Sequence, residues 1–539
     1  MKLKRTVVAP ALVAGVALVS GGWLLQRGVT GQQSVFQRAQ LFDEVLHYVE
    51  TRYVDEHAEG DLYQKAIEGM LGQLGDPHTV FMTADEYAQL HLQTSGEYGG
   101  LGIQLAPREG YITAVSVLPG TPAERAGIRV GDMLVEIDGK DAKGWNEDFA
   151  VKALRGAIGT PVNLTVRRVG VDQPLHFTIN REEIHLHSVP YAYMAAPGVG
   201  YVDLLVFSQT STDELRAAIE RLKQQGARKL VLDLRGNPGG LLDQGVAVSD
   251  LFLRRGQSIV ETRYRNPMES ETYRASSDEA VDLPMVVLVD AYSASAAEIV
   301  SGALQDHDRA LVIGTTSYGK GSVQSVYRLS GGNFLKLTTG KWYTPSGRSI
   351  QKPYRPGQTE ADADADSASA AADTTRRRAY RTDSGRTVMG GGGIVPDLTV
   401  RDTTTLAERA FITAVSRKAS VYNSVVMRYA LEYERRMPNL QPSFPVTPQM
   451  RQELFTRLRA AGVEITPEQY AGAQRWVDRQ LANQIAVSRF GQSAAAQRND
   501  VDDKALQEAV RLLQASPNQA ALFRAAEQAQ ARQRVATGQ

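Results

Sequence analysis

Between residues 198 and 350 the chain alternates short apolar runs with amphipathic stretches, and this constrains its fold more than any other feature. Residues 199–205, 230–234 and 286–289 read as strands, and 212–225 and 298–305 as helices. Apolar strand runs without an in-out alternation need cover on both faces. Strands that alternate with helices supply that cover in an α/β layered core with substantially parallel strands. The run 286–289 leads through a turn to Ser295 at the start of a helical stretch, and Lys320 follows 25 positions later between Gly319 and Gly321.

Serine needs a base to become a nucleophile. A lysine in a dry pocket can be that base, because burial disfavours its charged form. Ser295 stands where free helix N–H groups favour developing negative charge, so the Ala296 N–H is a candidate oxyanion donor. The second donor is expected from the glycine turn Gly239–Gly240, with Gly240 favoured, in Arg235-Gly-Asn-Pro-Gly-Gly240 at the end of strand 230–234. Gln324, four residues past the lysine, can hydrogen-bond its amine. An isolated serine among alanines is ordinarily a small helix residue, and a lysine between glycines a solvated turn. A P-loop is disfavoured because Gly321, not Ser or Thr, follows Lys320.

Composition narrows the classes. Lys+Arg and Asp+Glu are 60 each, so nothing pulls the chain toward nucleic acid. There is no cysteine, which excludes disulfides and thiol chemistry. No HExxH or His/Asp/Glu spacing suggests a metal, so no cofactor is expected. Eight histidines allow a Ser-His-Asp triad to be weighed, but none sits by a nucleophile motif; His307 in QDHDRA reads as surface, and His185 and His187 lie on a strand-like link.

The other segments read as follows. Lys2, Lys4 and Arg5 precede an apolar run at 7–25, close to the ~20 residues that span a bilayer. With the charges in front, residues 1–30 predict an anchor in the inner membrane and an exported, periplasmic body. No A-x-A cleavage site is evident, though a cleaved signal peptide is the alternative. Residues 35–94 carry helical stripes, among them Phe42, Val45, Leu46, Val49 and Tyr53. Residues 95–183 switch to short strands between Gly/Pro turns. Residues 184–403 hold the α/β core, with a low-complexity, mobile insertion at 355–385. Residues 404–539 read as a helical extension, with Thr-Pro helix starts at 447 and 466; its last ~40 residues are a helix or a frayed tail.

Two longer motifs resemble known families. GGLGIQL (99–105) and PGTPAERAGIRVGDMLVEIDGK (119–140) closely resemble a PDZ domain. The resemblance implies that Gly100, Leu101, Gly102 and Ile103 line a carboxylate-binding loop and groove, with a preference for apolar C-termini. The strings GMLGQLGDPHTVFM (69–82), DLRGNPGGLL (233–242), SASAAEIVSGALQDHDRALVIGTTSYGKGSVQ (293–324), KWYTPSGRSIQ (341–351) and GGIVPD (392–397) are similar to the carboxyl-terminal processing peptidases. That similarity spans about residues 35–400. It implies a multidomain α/β serine endopeptidase with a crotonase/ClpP-like layered core. The nucleophile falls on Ser295, the base on Lys320, the lysine-orienting glutamine on Gln324, and the oxyanion donors on Ala296 and the Gly239–Gly240 turn. It further implies that a PDZ arginine, Arg168 or else Arg167, relays PDZ docking to the site. Ala297 departs from the family, which often has serine there. A PDZ scaffold with an inactive core and a small-molecule hydrolase or acyltransferase are the alternatives. A homo-oligomer, through helices at 35–93 or 404–539, and an adaptor partner stay open.

Overall fold

The computed structural model describes residues 35–353, 378–401 and 404–537. The apolar run at 7–25 lies outside them, and among the described residues no helix is long and apolar enough to cross a membrane. The chain forms two compact units, the first ending at Phe81 and the second beginning at Met82. In the first, residues 35–52 and Glu59–Gly72 are helical. The apolar stripe read from the sequence is present but exposed at Phe42, Val45, Val49 and Tyr53.

In the second unit, the helix Ala84–Ser95 starts at Thr83 with a capping box closed by Glu86 and ends on Gly96, whose φ of 77° suits glycine. The ribbon Glu97–Gly100 and Glu182–His185 then carries the chain into and out of a β module. Its strands Ile103–Arg108, Tyr111–Val117, Met133–Ile137, Pro161–Arg167 and Leu175–Asn180 are antiparallel neighbours in an open sheet. Strand alternation is plain in Pro161–Arg167, where Val162, Leu164 and Val166 are buried and the residues between them are not. They meet Leu105, Ile112, Leu134 and Ile137 in one core. Ile103–Arg108 is an edge strand, and the helix Glu147–Leu154 lies beside it.

The α/β core is a sheet in which Val199–Asp203, Lys229–Asp233, Met285–Val289, Leu311–Gly314 and Leu398–Thr399 run parallel, with Tyr191–Ala196 antiparallel at one edge. Alternate residues divide between two layers. Val202, Leu230, Leu232, Val287, Val289 and Val312 face the helices Ser211–Gln224, Leu242–Asp250 and Ala296–Asp306. Val199, Val231, Val286, Leu288, Leu311 and Ile313 face the other way and pack on Leu506, Ala509, Leu513, Leu522 and Ala526. Those last residues belong to the helices Lys504–Ala515 and Gln519–Thr537. The end of the chain, for which the sequence allows a helix or a frayed tail, is therefore helical and the second cover of the sheet. Residues 406–490 form a separate helical core around Phe411, Tyr429, Leu454, Leu458, Leu481 and Ile485.

Two further readings change. Residues 354–377 of the low-complexity stretch lie outside the described residues, but Ala379–Arg381 pairs with Thr387–Met389, so its end is a hairpin and not loose chain. His307, read as surface, has a side chain only 7% exposed, with Nδ1 2.7 Å from Asp383 and Nε2 2.7 Å from the Ser258 carbonyl.

The C-terminal helices are also tied down by charge. Arg235 bridges Asp233 and Asp503, and Tyr201 donates to Asp233 at 2.9 Å. Asp203 belongs to this cluster. Burial, and then the Asp233 charge, push its carboxyl up to about 7 against the opposing pull of Arg235. Between its ordinary value of about 4 and about 7, the folded chain holds a proton that the unfolded chain has lost. Stability from this group is thus lost as pH rises through that window. Asp203→Asn is expected to melt several degrees higher than the parent at pH 8 and level with it near pH 4, by thermal scans at both values. A variant less stable than the parent at pH 8 would show that the ionised carboxylate is favoured in the fold and would overturn the upward shift.

Candidate active site

The loops after two adjacent parallel strands, Lys229–Asp233 and Met285–Val289, come together at the C-terminal edge of the sheet, the edge where open α/β folds place their sites. One carboxylate stitches them. Asp290 Oδ1 accepts the N–H groups of Gly236 (3.0 Å), Tyr292 (3.0 Å) and Ser293 (3.1 Å). Ser293 Oγ donates to the Leu234 carbonyl (2.7 Å), and the Ala294 N–H to the Asn237 carbonyl (2.9 Å). The turn leading to Ser295 and the glycine turn are thereby one rigid piece.

Ser295 has φ 53° and ψ −113°, a left-handed conformation for a residue with a side chain. Such a backbone costs on the order of 1–3 kcal/mol and persists where its surroundings enforce it. It is the sharp strand-to-helix turn that lifts a serine hydroxyl clear of a sheet edge. The Glu298 N–H donates to the Ser295 carbonyl (2.9 Å).

Glu298 joins the two halves of the site. It is completely buried. Its Oε2 accepts the N–H groups of Ser295 (2.9 Å) and Lys320 (2.8 Å). Its Oε1 accepts the Gly319 N–H (2.7 Å) and the Ser317 hydroxyl (2.5 Å). Ser317 Oγ in turn accepts the Ile394 N–H (2.6 Å), so its own hydrogen points at Glu298. Burial pushes the Glu298 carboxyl above its ordinary value, and the bonds from Ser317, Lys320, Gly319 and Ser295 offset only part of that rise. All four present hydrogens, so the pocket accommodates the ionised form. One anion thus holds the serine and lysine backbones in register.

Lys320 rides a loop that threads between two other segments. Gly319 has φ 93°, and a Cβ there would lie 3.0 Å from the Gly393 nitrogen and 3.1 Å from the Ile350 carbonyl. The Tyr318 N–H donates to the Ser293 carbonyl (3.0 Å), a second tie between lysine loop and serine turn. Gln324 lies on the strand Ser322–Arg328, where its Nε2 donates to Ser322 Oγ (2.8 Å) and Thr338 Oγ1 (3.3 Å). That leaves its amide oxygen as the end suited to an amine.

The glycine turn separates its two glycines. The Gly239 N–H donates to Asn237 Oδ1 (2.8 Å). The Gly240 N–H and the Ala296 N–H donate to no acceptor among the described residues. Phe207 bridges the turn in parallel, donating to the Gly239 carbonyl and accepting from Leu241, which turns the Gly240 N–H away from it. A Cβ added to Gly239 would lie 2.7 Å from Ser295 Cβ, 2.8 Å from the Ala294 carbonyl oxygen and 3.0 Å from the Ala296 nitrogen, crowding the candidate oxyanion donor.

In the β module, Gly102 has φ 78°, and any Cβ there would meet Thr121 at 2.4 Å. Gly100 closes the entry ribbon opposite Glu182. The Leu101 and Gly102 N–H groups have no acceptor among the described residues, which suits a carboxylate nest. The Leu101 side chain, expected to line the groove, is instead buried in the module's core, leaving half-buried Ile103 as the apolar side chain at the edge strand. Arg168 is not brought to the serine and lysine. Its Nε and Nη2 hold Asp132 at 2.7 Å each, and Nη2 also reaches the Gly127 carbonyl (2.7 Å), all within the module. Arg167 stacks on Tyr111, also within it.

Sequence reasoning gave Glu298 no role, nor Asp290 and Asn237. The first had a signal: Ser295-x-x-Glu298 is a capping-box pattern at a helix start. The others accept bonds from loops far apart in sequence, which no local pattern encodes.

A layered α/β core with a strained serine at a helix start, tied to a lysine loop and joined to a PDZ module, defines a PDZ-bearing serine endopeptidase. Residues 198–364 match peptidase family S41, 113–168 match the PDZ domain, and 25–86 match the activating protease CtpB N-terminal domain. The chain is 41% identical over 346 residues to a carboxy-terminal-processing protease of Bartonella bacilliformis, covering 63% of this chain and 79% of that one. It is 35% identical to the carboxy-terminal processing protease CtpA of Bacillus subtilis, over 62% and 72% of the two chains. A solved photosystem II D1 C-terminal processing protease is 29% identical, covers 59% of this chain and 92% of its own, and superposes with a TM-score of 0.34. The chain belongs to peptidase family S41, among its carboxy-terminal processing proteases.

Proposed function

We propose that Ser295 is the nucleophile and Lys320 the general base of an endopeptidase that acts on protein C-terminal tails. The observation that carries this is the buried Glu298 carboxylate, which accepts the backbone N–H of both residues. Neutral Lys320 takes the Ser295 proton, and the alkoxide attacks a peptide carbonyl. The Gly240 and Ala296 N–H groups receive the oxyanion. The amine leaves with the proton that Lys320 holds. Lys320 then deprotonates a water that hydrolyses the acyl-Ser295 ester. The Gln324 amide oxygen orients the lysine amine.

An unstructured tail adds as a strand to the edge Ile103–Arg108, its carboxylate on the Leu101–Gly102 turn and its last side chain against Ile103. Tails with apolar ends are the preferred partners. The bonds of Arg168 to Asp132 support a bracing role inside the PDZ domain, with Arg168 reaching the protease site only if that pair opens. The apolar run at 7–25, behind Lys2, Lys4 and Arg5, anchors the chain in the inner membrane with its body on the periplasmic side. The exposed stripe on 35–52 fits a second copy of this chain better than water.

The test compares unfolded substrates that differ only in an apolar or a charged C-terminus. The apolar tail is expected to be cleaved at least tenfold faster, and Ile103→Glu to erase that difference while a short internal peptide is still cut. Equal rates on both tails in the parent enzyme would sink the tail-recognition reading.

A further inference from the structure

No metal was expected from the sequence, yet the fold gathers a ligand-like set where the chain leaves the PDZ domain. His185 ends the strand Glu182–His185, and His187 follows two residues on. Residues two apart on extended backbone share a side. Glu214 meets them from the first turn of the core helix Ser211–Gln224. His185 Nε2 is 2.8 Å from Glu214 Oε1, and His187 Nδ1 is 3.5 Å from Glu214 Oε2. The three candidate ligand atoms lie within 4.8 Å of one another. Ligands about 2.1 Å from a tetrahedral zinc ion stand about 3.4 Å apart. The triangle is thus near the required size, and the exposed His187 ring is free to close its long edge.

The bland alternative is an ion pair between His185 and Glu214. Three features go beyond it. The other nitrogen of His185 faces Glu97 Oε1 at 3.6 Å, the carboxylate partner that orients a metal-bound imidazole. Glu214 is oriented toward the histidines by bonds from outside the set: Thr210 Oγ1 donates to its Oε1 (2.6 Å) and the Val189 N–H to its Oε2 (3.1 Å). Enclosure is one-sided, with side-chain exposures of 17% for Glu214, 29% for His185 and 67% for His187, so one ligand position opens to water. We infer that His185, His187 and Glu214 form a site for a divalent transition-metal ion of the zinc class, with water as the fourth ligand. Two imidazoles and a carboxylate suit zinc or cobalt and not magnesium or calcium.

The location gives such an ion a consequence. His185 pairs with Glu97 at the base of the ribbon that carries both crossings between core and PDZ domain. A metal bound here cross-links that base to the helix Ser211–Gln224 and stiffens the joint.

The test uses the full chain stripped with chelator, then titrated with Zn²⁺ and separately with Co²⁺. One Zn²⁺ per chain is expected, with a melting temperature raised by several degrees, and Co²⁺ is expected to give the visible bands of a tetrahedral site. Mg²⁺ is expected to do neither. His187→Ala removes a side chain with no other described hydrogen bond, so the metal-free variant is expected to melt like the parent while its zinc affinity falls at least tenfold. Glu97→Gln, which keeps all three ligands, is expected to weaken zinc about tenfold. No zinc uptake by the parent, or equal uptake by parent and His187→Ala, overturns the site.

Discussion

Lys320→Ala is expected to lower kcat/KM on an unfolded protein substrate by about 10⁴-fold or more. A serine hydroxyl is a weak nucleophile until a base removes its proton. Loss of one member of such a unit costs on the order of 10⁴–10⁶ in rate. It is the Lys320 backbone N–H that Glu298 holds, so the variant is expected to melt within a few degrees of the parent. Ser295→Ala is expected to be as inactive, and the double variant no worse than either single one, because the pair acts as a unit. Lys320→Arg is not expected to rescue, since a guanidinium does not give up its proton. Initial rates combined with labelling by a fluorophosphonate decide the matter: the parent labels at Ser295, and Lys320→Ala labels far more slowly. Turnover that survived Lys320→Ala would mean another group serves as base.

Gly239→Ala is expected to cost at least 10²–10³ in kcat, the scale of losing an oxyanion donor. Two effects add. At φ 95° the backbone is one that glycine adopts readily and alanine does not. The new methyl would also lie 3.0 Å from the Ala296 nitrogen and 2.7 Å from Ser295 Cβ, against the nucleophile and the proposed oxyanion donor. Gly240→Ala makes the informative contrast. Its Cβ would meet the Phe207 carbonyl oxygen at 2.1 Å, a backbone clash away from the serine. Both variants are therefore expected to lose stability, Gly240→Ala the more, since a Cβ at Gly239 meets backbone less closely, at 2.8 Å from the Ala294 carbonyl oxygen, whereas the turnover lost by Gly239→Ala is expected to exceed what its lower stability explains. Paired thermal melts and single-turnover rates separate the two. Near-parental turnover in Gly239→Ala would place the oxyanion elsewhere.

The parts of the site that lie on one continuous motif were legible from residues alone. Ser295 follows an apolar strand and starts a helix, and Lys320 sits between glycines whose lack of Cβ lets other segments approach. The distinction between Gly239 and Gly240 was not legible, because it depends on Asn237 Oδ1 taking one N–H and Phe207 turning the other away. Leu101 and Ile103 looked equivalent as apolar groove residues. Only packing shows that the first belongs to the core. Arg168 carried a role by resemblance, but sequence did not reveal that Asp132, 36 residues earlier, holds it.

The sequence alone determined the alternation that makes the parallel sheet, the glycine turns of the PDZ loop and the helix starts at Thr447 and Thr466. Each is local, set by periodicity, by absent Cβ atoms or by a capping side chain. Tertiary structure alone decided what covers the second face of the sheet. Val231, Val286, Leu288 and Ile313 require an apolar partner, but nothing in them specifies that it comes from the helix Lys504–Ala515, far along the chain. It likewise decided that one buried carboxylate, Glu298, would hold serine and lysine together, and that two histidines of a linker would meet the glutamate of a core helix. Hydrogen bonds and burial act through space, while a sequence displays only neighbours along the chain.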